Sequence, residues 1–157
     1  MSYKPSNYVL FSSRNDVTLE QAKAALESDS TEVSIVEWRL RERSQRLIEV
    51  RDISFEEDDE EEGEERVPVI ARVFHCSHAD VLEESKEIAE KFAEGRADRD
   101  LIAACDRRFE VSADADDDMD YFNNWLIATE RLRDLVDGIV FCPDDDTFLN
   151  DPCAARR

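Results

Sequence analysis

Nine of the ten residues from Glu56 to Glu65 are acidic, and the tenth is Gly63. No core can be built from such a stretch, because each carboxylate would lose its hydration while repelling its neighbours. The run (Glu56, Glu57, Asp58, Asp59, Glu60, Glu61, Glu62, Glu64 and Glu65) must therefore stay in water. A disordered acidic loop over 56–66 is the expectation, with the fold assembled on either side of it. Taking the nine acids out of the total of −20 still leaves −11 on the other 147 residues. The whole chain is acidic, and the run concentrates that charge.

Hydrophobic residues make up 41% of the 157, with eight Phe, enough to argue for a folded protein in spite of the charge. The length fits one domain, expected over 1–150, followed by a loose tail over 151–157. A charge of −20 opposes direct binding to nucleic acid or to an anionic membrane, both of which demand Lys and Arg. It favours a basic protein as partner, through steering and contact. Cys76, Cys105, Cys142 and Cys153 are widely spaced with no C-x-x-C, as for reduced thiols in the cytoplasm. Tyr8–Phe11 is too short for a secretory leader, and no stretch approaches the ~20 apolar residues of a membrane span.

Periodicity supplies the elements. Tyr8–Ser12 reads as a strand, and Thr18-x-x-Gln21 as a capping box opening a helix through Leu26. Val33–Arg41, Leu47–Phe55 and Val67–His75 read as three further strands, with a bulge near Asp52. Ser77 is placed to cap a helix lined by Val81, Leu82, Ser85, Ile88, Ala89 and Phe92, ended by Gly95. Leu101, Ile102, Cys105 and Phe109 suggest a shorter helix. Met119 to Val136 suggests a long one stopped by Gly138, and Ile139–Cys142 with Thr147–Leu149 a closing hairpin. The order implies an α+β fold: an antiparallel sheet of about four to six strands, with three or four helices packed mainly on one face.

Chemical motifs are sparse. His75-Cys76-Ser77-His78 could begin a zinc site, but two further ligands are missing nearby. Asp114-x-Asp116-x-Asp118 resembles the start of a calcium loop. Met119 then replaces the required Gly, and Trp125 the required Glu. Asp144, Asp145 and Asp146 after Pro143 are explained by turn chemistry. No nucleotide-binding, hydrolase or metalloprotease motif occurs, so no catalytic residue, cofactor or metal is expected. Arg39, Arg41, Arg43, Arg46 and Arg51 form the one basic concentration, expected to neutralise the acidic loop. Trp38 and Trp125 fit core positions, Trp125 alternatively an exposed anchor for a partner.

The closing segment Leu132–Leu149, with Asp-Gly-Ile-Val-Phe-Cys-Pro-Asp-Asp-Asp-Thr-Phe-Leu at its end, resembles the ends of bacterial immunity proteins of polymorphic toxins. The resemblance implies a cognate toxin, one-to-one binding and no turnover. Partner contacts are then expected from the run at 56–65, from Asp114, Asp116, Asp117, Asp118 and Asp120, from Trp125, and from Asp144–Asp146. A second reading is a phage- or mobile-element-encoded nucleic-acid mimic that inhibits a DNA- or RNA-binding or defence protein. It would need acids in a fixed row. A third is a metal-dependent enzyme or module using His75 and His78.

Overall fold

Alternating residues from opposite ends of the chain meet in one sheet. The computed structural model describes residues 6–29, 31–52, 69–113 and 122–148. Strand β1 (Ser6–Phe11) leads through a 3-10 turn (Ser13–Asn15) to helix α1 (Leu19–Leu26), then β2 (Thr31–Leu40), β3 (Arg43–Asp52) and β4 (Val69–Cys76). Helices α2 (Ala79–Phe92) and α3 (Arg99–Ala103) precede β5 (Arg107–Ser112). Helix α4 (Phe122–Val136), β6 (Ile139–Cys142) and β7 (Thr147–Phe148) complete the order. The seven strands run β2-β3-β4-β5-β1-β6-β7, and every neighbouring pair is antiparallel.

The α+β antiparallel class is the expected one, and three details differ. The sheet has seven strands rather than four to six. The added one is β5, whose Phe109 and Val111 alternate with Arg108 and Glu110. The expected helix over Leu101–Phe109 therefore stops at Ala103, and Cys105 is a buried coil residue. The helices also divide between the two faces. Leu26 of α1 and Trp125, Leu132 and Val136 of α4 pack with Val9, Phe11, Ile48, Val73, Phe109 and Val111. Ile88 and Ala89 of α2 and Ile102 of α3 pack with Leu10 and Phe141 on the other side. Side chains alternate along β1, so Val9 and Leu10 serve different cores.

Local signals explain the ends. The Thr18 hydroxyl accepts from the Gln21 N–H at 3.1 Å, and the Gln21 side chain accepts from the Thr18 N–H at 2.9 Å, so the expected capping box forms. The bulge lies between Val50 and Arg51, beside the expected place. His78, not Ser77, caps α2, without a side-chain hydrogen bond. At the end of α4 the left-handed residue is Asp137 (φ 53°), and the Gly138 N–H bonds Arg133 O at 2.9 Å, a Schellman closure. Gly138 is required for a different reason. A Cβ there would sit 2.8 Å from Leu10 O and 2.9 Å from Val9 Cγ1, so only glycine lets the chain pass against β1.

Candidate functional site

Helix α2 carries five acids and two lysines in fourteen residues. Val81, Ser85, Ile88 and Ala89 face inward. Asp80, Glu83, Glu87 and Glu90 fall at intervals of three and four residues on the opposite side, all exposed. At 1.5 Å rise per residue the row is about 15 Å long, with acids roughly 5 Å apart along the axis. Lys91 pairs with Glu87 at 2.6 Å. Glu84, one position round, is drawn to buried Arg108, which also holds Glu110 at 2.6 Å. The row was readable in the sequence as a three-four spacing. The louder runs at 56–65 and 114–120 obscured it.

Arg108 anchors a polar network on the same side of the sheet. Its guanidinium lies 4.2 Å from the centre of the Tyr8 ring. Burial opposes its charge, but Glu110 and Glu84 outweigh that and raise its pKa further above the ordinary arginine value. Along the sheet Glu49 accepts from Arg51 at 2.9 Å and from Arg72 at 3.3 Å. The partly buried charges on this side of the sheet are thus paired.

His75 and His78 have different surroundings. His75 lies against Phe11 and Phe109, and its Nε2 bonds Asp16 Oδ1 at 2.7 Å. Arg107 donates to the other oxygen of Asp16 at 3.1 Å. Burial alone would raise the Asp16 carboxyl, but the hydrogen bonds from His75 and Arg107 outweigh it and hold the pKa below its ordinary value. His78 is exposed, 3.9 Å from Asp80. Among the described residues no group of three or more His, Cys, Asp and Glu could hold a metal. Burial first, then the nearby Glu110 carboxylate, pushes the Cys76 thiol up to about 11. Burial does the same for Cys105, to about 12. Neither is a thiolate nucleophile at neutral pH.

The residues singled out in the sequence separate. Glu56–Glu65 and Asp114–Asp120 lie outside the described residues, as does the tail over 151–157. Asp144, Asp145 and Asp146 are exposed in the β6–β7 turn, where Asp145 N–H bonds Cys142 O at 3.2 Å. Trp125 is not an exposed anchor: it is buried, and its indole N–H donates to Val111 O at 3.2 Å. Trp38 is the exposed tryptophan, at 39%. The arginine group is spread along the β2–β3 hairpin, and the acidic segment it was expected to neutralise lies outside the described residues. Arg39, Arg41 and Arg43 cluster at the β2–β3 turn, and Arg51 lies at the other end of β3, next to Asp52. A ten-residue strand of ~3.3 Å per residue separates the two ends.

No protein-family model, curated protein or solved structure matches this chain. Among the described residues no helix is long and apolar enough to cross a membrane.

Proposed function

We propose that this chain is a non-catalytic binding protein that neutralises a basic protein partner, in the manner of an immunity protein blocking its cognate toxin. The observation that carries the reading is the α2 row, Asp80, Glu83, Glu87 and Glu90. These carboxylates stand on a helix anchored through Val81, Ile88 and Ala89, so they are presented at fixed positions. Preorganised acids on a strongly acidic molecule speed encounter with a basic surface and lose less entropy on docking. The resemblance of Leu132–Leu149 to immunity proteins supports the same reading.

The row also favours a second reading, the nucleic-acid mimic. That reading needs carboxylates fixed along a line, and α2 supplies four at about 5 Å axial spacing. Both readings place the partner's cationic groups on α2.

The test is retention of a partner from a lysate of the native host on the immobilised chain, compared with a variant carrying Asp80→Asn, Glu83→Gln, Glu87→Gln and Glu90→Gln. The expected result is a basic protein held by the original and released by salt, with association to the variant at least about tenfold slower. Co-expression then separates the readings. An immunity protein rescues growth arrested by the captured protein. A mimic competes with DNA or RNA for it. Equal capture by the variant would remove α2 from the interface.

A further inference from the structure

The β2–β3 turn is a place of opposite sign in this acidic molecule. Arg41 and Arg43 line an open cleft together with Trp38, Gln45 and His78, and Glu42 and Ser44 complete its wall. Its volume of about 730 Å³ is within the range of small-molecule sites. Neither Arg41 nor Arg43 has an acidic partner among the described residues, whereas Arg46 is held by Glu20 at 2.5 Å. Arg41 sits at φ 58°, a conformation that favours glycine, so the turn itself gives no reason for an arginine there. Trp38 meets Phe74 edge-on at 5.7 Å between ring centres, with the Arg72 guanidinium 5.7 Å from its ring, and still leaves 39% of itself in solvent. A braced aromatic surface therefore lies beside two guanidinium groups free of carboxylate partners among the described residues.

We propose that this cleft binds a mononucleotide, the base stacked on Trp38 and the phosphates held by Arg41 and Arg43. Guanidinium groups match phosphate oxygens in geometry and charge, and a nucleobase stacks on indole without needing a sequence code. Size selects the mononucleotide. A polynucleotide carries a charge at every phosphate beyond the cleft, where a molecule of net charge −20 repels it. An acidic peptide offers no ring to Trp38. The proposal does not depend on α2 docking a basic protein.

The chain has two tryptophans, and Trp125 is buried away from ligand, so the change in emission on binding reports on Trp38 over a Trp125 background. The experiment titrates ADP, GDP and inorganic pyrophosphate into the full chain, followed by Trp emission and calorimetry. Expected are saturable one-to-one nucleotide binding and affinity at least about tenfold above that for pyrophosphate, the worth of one good stacking contact. Arg43→Glu and Arg41→Gly should each weaken nucleotide and pyrophosphate alike. Arg41→Gly suits the turn, so its loss of binding is not a loss of fold. Trp38→Ala should bring nucleotide affinity down to that of pyrophosphate. The proposal is overturned by no saturable binding at millimolar nucleotide, or by pyrophosphate binding as tightly as ADP. Wild-type affinity in the arginine variants, or tighter binding of a hexaglutamate peptide or a single-stranded oligonucleotide, would overturn it equally.

Discussion

Asp16 shows how single residues tie this fold together. It lies between β1 and α1, yet its two oxygens bond His75 on β4 and Arg107 on β5. Because its pKa in the folded chain is below the ordinary carboxylate value near 3.8, ionised Asp16 stabilises the fold. That contribution is present above the unfolded value and is lost as pH falls through the folded one. Asp16→Asn should therefore lower stability at pH 7 and flatten the acid limb of the stability curve below about pH 4. Urea unfolding of both chains across pH 2–7 measures this, and parallel curves would show that the carboxylate does not matter. Gly138 acts at the same scale through sterics alone, admitting the chain past Leu10 and Val9. His75 was visible in the sequence as a possible ligand, but its bond to Asp16, 59 positions away, was not. Pairing over that separation is decided by topology.

Elements were legible where one period held over a whole segment. In α4, Trp125, Ala128, Leu132 and Val136 face the core while Ile127 remains 48% exposed. Leu132→Ala should cost about 2–5 kcal/mol, against less than roughly 0.5 kcal/mol for Ile127→Ser. Equal losses in denaturant unfolding would mean that α4 does not pack by this face. The stretch from Leu101 to Phe109 failed as a reading because its apolar residues fit a helical stripe, while the alternation that marks β5 begins only at Arg107. Trp38 was misjudged for a related reason. Alternation along β2 shows that Val36 and Trp38 share a side, but not that α2 and α3 pack elsewhere on that side, against Leu10 and Phe141. Which part of a sheet face receives a helix depends on strand order, and β2 is an edge strand. The candidate site was legible in part: the three-four spacing of Asp80, Glu83, Glu87 and Glu90 is in the sequence, but the packing that sets them on an exposed face, through Val81, Ser85, Ile88 and Ala89, is seen only in the structure.

At the scale of the molecule, the charge of −20 is a standing load on the native state, since folding brings the carboxylates together. Salt should relieve it. Thermal stability at pH 7 is expected to rise between about 0.05 and 0.5 M NaCl, as the screening length falls from ~14 to ~4 Å. A fall over that range would mean that pairs such as Arg108–Glu110 outweigh the general repulsion. The strand order carries a further consequence. In the finished sheet β1 lies between β5 and β6, with Val9 opposite Phe109 on one side and Val140 on the other. The chain therefore closes its sheet across loops of about 100 and 130 residues, a large entropic barrier for a chain this short. During synthesis β1 stays without its neighbouring strands until β5, about 100 residues later, and then β6 have emerged. Until then its apolar side chains and unpaired backbone edges are open to any chaperone, or any neighbouring strand, that reaches them first.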